Sequence, residues 1–243
     1  MRMIKLDATD STNAYLKNLM LSEKPEDFTI VIANEQLNGR GQMGTQWESE
    51  AGKNLTFSVL KYFDDFLIQD QFLLNIITSL AVYNTLKKLF VPNLSIKWPN
   101  DILSGSFKIC GILVENNLKN GKIQSSVIGI GLNVNQLEFG NLKTASSLKK
   151  IKGRSFDLDE VLSSLVLNLK VFFEEIEFKK VDGLRKHYET LLFRKDKPST
   201  FKDSDSNLIT GYIRGVSTEG KLVVELEDFV LKHFTFKELE LLY

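Results

Sequence analysis

The chain has 243 residues, 43% of them apolar and 26% charged, which suits one sizeable folded domain plus a smaller one. Lysine plus arginine equals aspartate plus glutamate at 31 each, so there is no overall positive field to hold nucleic acid. Cys110 is the single cysteine and His187 and His233 the only histidines, which excludes an intrachain disulfide and argues against a Cys/His zinc site.

No stretch reaches the roughly 18 apolar residues of a membrane span. Residues 1–10 mix polar and apolar types without a signal-peptide core. A cytoplasmic protein with neither membrane nor nucleic-acid partner is expected. Ser11-Thr12-Asn13 precedes Ala14, Tyr15, Leu16 and Leu19 and reads as a helix start, with Ser11 an ordinary N-cap. A strand is expected over 28–33 and another over 54–62. Between them lies a polar segment, 34–53, holding Gly39, Gly41, Gly44 and Gly52. A loop of that length inside a compact domain is usually functional.

The spacing of Phe72, Leu73, Ile76, Ile77, Leu80, Leu86 and Leu89 predicts a helix over 69–90, ended before Pro92. A short strand follows at 94–97. Two longer strands, 108–117 and 122–133, meet at Asn120-Gly121, a strong hairpin signal. Asp157 with Glu160 marks a capped helix running to about Phe178, with Val161, Leu165, Leu169, Phe172 and Ile176 inward. A shorter helix is expected over 183–193. Beyond Lys195 the pattern changes to short strands at 198–202, 208–216, 222–227 and 230–236, a small all-β domain. The expected division is therefore 1–195 and 196–243, and the fold class is α+β.

Four segments carry candidate chemistry. In the first, Gly39-Arg40-Gly41-Gln42, closely spaced glycines let backbone N–H groups wrap an anion, Arg40 adds a permanent planar cation, and Trp47 offers an aromatic wall. A surface turn explains the same residues equally well. In the second, Lys97-Trp98-Pro99-Asn100-Asp101, Pro99 stops a strand and leaves Lys97, Asn100 and Asp101 at its end. Asn and Asp are also common turn residues, so the composition does not separate site from turn. Third, Lys108 enters the apolar run Ile109-Cys110-Gly111-Ile112, where its charge needs a partner. Fourth, Gly129 and Gly131 alternate with apolar residues before Asn133 and Asn135, a pattern that marks close approach of a ligand or a weakened strand. Cys110, with no histidine near it in sequence, reads as a small core residue.

In this order, these segments resemble the biotin–protein ligases (biotin–[acetyl-CoA-carboxylase] ligases) over most of residues 1–195. The most specific matches are Lys97 to Asp101 and Phe107 to Glu115, with Gly39-Arg40-Gly41, Trp47, Ser11-Thr12-Asn13 and Gln36 in support. The resemblance implies a mixed β-sheet flanked by helices, followed by a small SH3-like all-β C-terminal domain. It implies ATP-dependent activation of biotin as biotinyl-5′-AMP, with Mg²⁺, and transfer to a lysine of a biotin carboxyl carrier domain. By the same resemblance Lys108 and Arg40 are the catalytic pair. Ser11, Thr12, Asn13, Gln36, Gly39, Arg40, Gly41, Gln42, Lys108 and Gly111 form the biotin site. Arg40, Gly41, Trp47, Lys97, Asn100, Asp101, Lys108 and Asn133 form the nucleotide site, with Asp101 the candidate Mg²⁺ contact through phosphates.

The chain departs from the family pattern in the loop, where Gln42, Met43 and Thr45 stand in places that many members fill with arginine. This lowers the positive charge around an adenylate. Some relatives carry an N-terminal helix-turn-helix repressor domain; ten residues before Ser11 leave no room for one, and no repressor function is expected. No site residue is assigned to the C-terminal domain. An edge strand could support a homodimer. The rivals are a lipoate–protein ligase, a non-catalytic biotin sensor suggested by the missing loop arginines, and, weakest, a DNA-binding regulator.

Overall fold

The structure, a computed structural model, describes residues 2–177 and 181–243. Seven strands form the main sheet: β1 (Met3–Thr9), β2 (Ile30–Gln36), β3 (Leu55–Leu67), β4 (Leu94–Lys97), β5 (Asp101–Ser104), β6 (Phe107–Lys119) and β7 (Lys122–Leu132). Their spatial order is β1-β2-β3-β7-β6-β5-β4. β1 and β2 pair in parallel and all other neighbours antiparallel, so the sheet is mixed. A parallel pair requires a crossover, and α1 (Thr12–Ser22) supplies it. At the β6–β7 hairpin Asn120 and Gly121 both take positive φ, 52° and 72°. Two such residues make the turn whose twist matches the flanking strands.

The helices α2 (Phe72–Lys88) and α4 (Leu158–Glu177) cover one face of this sheet. α2 is buried on several sides, from Phe72 and Leu74 to Val82 and Leu86, because it lies in one core with both the sheet and α4. α4 begins at Asp157, whose Oδ1 accepts the Glu160 N–H at 2.9 Å. Its expected end at Phe178 lies outside the described residues. On the opposite face α1 covers only part of the sheet, packing Leu16 with Val31, Leu60 and Val127. The remainder carries Gly111, Gly129 and Gly131, and a cavity lies over them.

The chain continues through α3 (Leu148–Lys152) and α5 (Val181–Thr190) to a second sheet. Its strands are β8 (Pro198–Asp203), β9 (Leu208–Val216), β10 (Leu222–Glu225), β11 (Leu231–Phe234) and β12 (Leu239–Leu242). They run antiparallel throughout in the order β11-β10-β9-β8-β12, the small all-β unit expected from the short-strand pattern. Phe201, Ile213, Val224 and Leu239 belong to the same buried cluster as Ile77 and Leu80 of α2, so the two sheets share a core. Among the described residues no helix is long and apolar enough to cross a membrane.

The sequence reading did not foresee β1, β5, α3 or β12. β5 and β12 have four residues each and α3 five, too short to show a period. The omission of β5 matters most, because Asp101 is its first residue.

Candidate active site

The cavity encloses about 260 Å³. Its lining comes from the start of α1, β2, the loop after it, β3, the β4–β5 hairpin, β6, β7 and Phe236, in the turn between the last two strands of the chain. Its inner end is a buried polar cluster. Ser11, Thr12 and Asn13 are each 3% exposed at the start of α1. The Thr12 N–H donates to Gln36 Oε1 at 2.8 Å, tying the helix start to the end of β2. The Ser58 hydroxyl lies 2.7 Å from Thr12 Oγ1 and 2.6 Å from Asn13 Oδ1. Asn13 Nδ2 donates to Glu115 Oε2 at 2.7 Å, and Lys17 pairs with the other Glu115 oxygen at 2.6 Å. Asn13 reaches this position because β7 has no side chain at Gly129; a Cβ there would stand 2.5 Å from Asn13 Oδ1.

The glycine-rich segment is a tight excursion rather than an extended loop. Arg40 bridges Gln46, Trp47 N–H donates to Gly39 O at 2.9 Å, and Gly41 N–H donates to Thr45 O at 2.7 Å around a 3-10 turn, Gln42–Gly44. Side chains at Gly39 or Gly41 would collide with the Trp47 carbonyl or the Thr45 hydroxyl. The geometry returns Trp47 onto the sheet, where its indole lies over Gly131 in the space a Cβ would occupy. The indole N–H is buried without a hydrogen-bond partner among the described residues. A buried unpaired donor is costly. Arg40 is exposed at the rim.

Lys97 to Asp101 form the opposite wall. β4 and β5 are a hairpin pairing Lys97 with Asp101, and the Trp98–Pro99 peptide in its turn is cis. Asn100 does not reach into solvent: its Nδ2 donates to Ile112 O at 2.7 Å and its carbonyl accepts the Ile112 N–H, locking the turn to β6. Beneath the turn lies Tyr188, fully buried, edge-on to Phe72 and 3.5 Å from Pro99 O. Burial, reinforced by the neighbouring Glu189 and Asp101 carboxylates, pushes the Tyr188 hydroxyl pKa up. Trp98 Nε1 donates to Gly220 O at 2.8 Å and its ring lies 6.0 Å from Phe236, which fastens the second sheet to this wall. Lys97 leans the same way, 3.3 Å from the Tyr243 hydroxyl and 4.6 Å from its ring centroid.

Lys108 stands between the two ends. A register shift where β5 meets β6 sets Lys108 opposite Leu103 and Cys110 opposite Ile102. The Lys108 ammonium lies 2.7 Å from Asp101 Oδ1 and 5.8 Å from the Trp47 ring. Arg40, Lys97 and Lys108 line the cavity against one carboxylate, Asp101. A chain of zero net charge thus builds a local site for an anion. Cys110 is fully buried, and desolvation first, with Asp101 adding to it, raises its thiol pKa; it is no nucleophile.

Of the residues expected from sequence, Ser11, Thr12, Asn13, Gln36, Arg40, Gly41, Gln42, Trp47, Lys97, Asn100, Asp101, Lys108 and Gly111 line this one cavity. Gly39 sits behind it, under Trp47. Asn133 is not among the lining residues: it is 4% exposed and its Nδ2 donates to Ser146 O at 3.0 Å, holding the 137–147 loop. Sequence reasoning missed Ser58, Glu115's contact with Asn13, and Phe236. Nothing local in the sequence distinguishes Ser58 from any strand serine. Phe236 gave a signal only as an apolar residue beside the small domain's turns.

The family model of the Biotin/lipoate A/B protein ligase family matches residues 6–133. The chain belongs to that family. It is similar to the bifunctional ligase/repressor BirA of Bacillus subtilis, 28% identical over 240 residues, covering 96% of this chain and 72% of the relative. It is 37% identical over 131 residues to the biotin–[acetyl-CoA-carboxylase] ligase of Paracoccus denitrificans, covering 53% of each. Among solved structures, the biotin protein ligase of Aquifex aeolicus in complex with biotin and ATP superposes with a TM-score of 0.80 at 27% identity, covering 99% of this chain and 98% of that one. The mixed sheet with its SH3-like second sheet is therefore the biotin ligase fold.

Proposed function

We propose that this chain is an ATP-dependent biotin–protein ligase, a biotin–[acetyl-CoA-carboxylase] ligase of the cytoplasm. Biotin's carboxylate oxygen attacks the α-phosphorus of ATP, the bond to the β-phosphate oxygen breaks, and pyrophosphate leaves. The amine of a carrier-domain lysine then attacks the acyl carbon of biotinyl-5′-AMP, AMP leaves, and the amine loses a proton. The observation that carries this reading is Lys108, an ammonium held between a closed polar end and a cationic outer end of one cavity.

No protein nucleophile is required, and the residues suit positioning and charge neutralisation. The inner cluster of Ser11, Thr12, Asn13 and Gln36 holds the biotin head; Gly111 keeps the floor of the cavity open beside Lys108. Lys108 leaves Asp101 for the biotin carboxylate and the α-phosphate between which it would sit. Arg40, Gly41 and Gln42 close over the adenylate with Trp47 beneath, and Lys97 meets the outgoing phosphates. Asn100 keeps the wall in place. Asp101 is the one carboxylate lining the cavity, which fits a Mg²⁺ ion brought in by ATP and held mostly by phosphate oxygens. Bound there, Mg²⁺ would offset phosphate charge. The open edge of β1 supports a homodimer.

Incubation with biotin, ATP, Mg²⁺ and an apo biotin carboxyl carrier domain, read by intact mass, tests the reading. The expected result is one biotinyl addition and pyrophosphate release that depends on biotin. Pyrophosphate release with lipoate alone would favour the lipoate ligase, and tight biotin binding without transfer would favour a sensor.

A further inference from the structure

Glu115 lies outside the cavity, yet it is wired to it by an unbroken line of side chains. Asn13 Nδ2 faces two acceptors, Glu115 Oε2 at 2.7 Å and Leu113 O at 3.4 Å. This fixes the amide: its nitrogen points to Glu115 and its oxygen to Ser58. The Asn13 Oδ1 to Ser58 Oγ contact is 2.6 Å and needs a proton, which only the Ser58 hydroxyl can provide. Ser58 has one proton. The 2.7 Å contact between Ser58 Oγ and Thr12 Oγ1 must then be filled by the Thr12 hydroxyl proton. Gln36 Oε1 is 3.1 Å from Thr12 Oγ1 and is already served by the Thr12 N–H at 2.8 Å. Every hydroxyl proton in the line therefore runs toward the carboxylate, and the Thr12 oxygen keeps its lone pairs for the cavity. With the Asn13 amide turned over, the line would reverse and Thr12 would present its proton instead.

We propose that Glu115 is a positioning residue that sets the polarity of this hydrogen-bond line, making the inner end of the cavity a hydrogen-bond acceptor selective for a ring N–H. A charged acceptor is what makes one orientation win, since hydrogen bonds to an ionised group are the stronger kind. Lys17 holds the carboxylate in place from the other side at 2.6 Å. The inference rests on the biotin reading, because the cyclic urea of biotin has two ring N–H donors flanking its carbonyl.

The test is equilibrium binding of biotin and of its two cyclic carbamate analogues, in each of which one ring N–H is replaced by oxygen. The wild-type chain is expected to disfavour one carbamate by tenfold or more, on the order of one lost hydrogen bond to a buried group. Glu115→Ala is expected to bring that preference within about threefold while melting cooperatively. Glu115→Gln keeps the side-chain volume but is neutral and can donate to Asn13 as readily as accept from it, so it is expected to lose the preference as well. Ser58→Ala interrupts the line with Glu115 intact and is expected to lose the preference too. A merely structural role for Glu115 would weaken biotin and both carbamates alike. Equal weakening, or a wild-type preference retained in Glu115→Ala and Ser58→Ala, would overturn the wiring. Failure of the wild-type chain to bind biotin at all would instead overturn the biotin reading.

Discussion

At the inner end of the cavity the polar atoms of Thr12, Asn13, Gln36 and Ser58 are engaged with one another, with Thr12, Asn13 and Ser58 buried, whereas the outer end is lined by Arg40, exposed at the rim, and by Lys97, which leans on Tyr243. The inner cluster is ordered by contacts within the protein, so its selectivity is built before any ligand arrives. The outer end offers charge without a matching web of hydrogen bonds, and on the proposed reading the polyanion it receives would complete its geometry. Lys108 sits at the junction, and on the proposed reading its pairing with Asp101 is the contact that a substrate would exchange.

Removing the junction should produce the largest effect. Lys108→Ala is expected to lower biotin-dependent pyrophosphate release by about a hundredfold or more, the scale of losing a key charge-stabilising donor. Its far-UV circular dichroism should stay unchanged, since the side chain is 36% exposed. Wild-type rates would remove Lys108 from the chemistry.

Next comes the prebuilt end. Gly129→Ala drives a methyl to 2.5 Å from Asn13 Oδ1, and Asn13 is held in place by Ser58 and Glu115. Biotin KM should rise at least tenfold, as one or two hydrogen bonds to the ligand are lost. ATP KM should move far less, and equal movement of both would mean the two ends are not separate. Arg40→Ala probes the other end: ATP KM rising about tenfold, typical of a charge-assisted contact, with the biotin Kd and melting temperature held. Tyr243→Ala frees Lys97 from the ring. ATP KM should fall by about threefold at most, since a cation–π contact at an exposed site is worth under about 1 kcal/mol.

The smallest expected effect lies away from both ends. The Arg214 guanidinium hydrogen-bonds Asp196 at 2.6 Å and holds its carboxyl below the usual carboxylate value. A depressed folded pKa means stability that is present above the unfolded value and lost as pH falls through the folded one. The melting-temperature gap between wild type and Asp196→Asn should therefore be small at neutral pH. It should close further as pH drops below about 3.9, while ligase parameters at neutral pH stay put. A gap that widened in acid would reverse the sign of this pair's contribution.

Several things could be read from sequence alone. The helices over 72–88 and from Asp157, the Asn120-Gly121 hairpin and the small β unit all declare themselves through periodicity, capping or turn chemistry that acts within a few residues. The ordered segments around Arg40, Lys97 and Lys108 resemble a known family, and that resemblance, rather than residue type or spacing by itself, implied the chemistry; the structure gathers all three in one cavity. Only the tertiary structure decided how these segments meet. It put Asp101 on a four-residue strand against Lys108, turned Asn133 into a brace for a neighbouring loop, laid Trp47 on the glycines of β6 and β7, and brought Phe236 across from the turn between β11 and β12. Glu115 and Asn13 are distant in sequence, and no local pattern records their contact. The packing of α1 on the sheet creates that contact: Gly129 leaves room for Asn13, and strand register decides that Glu115 faces the helix.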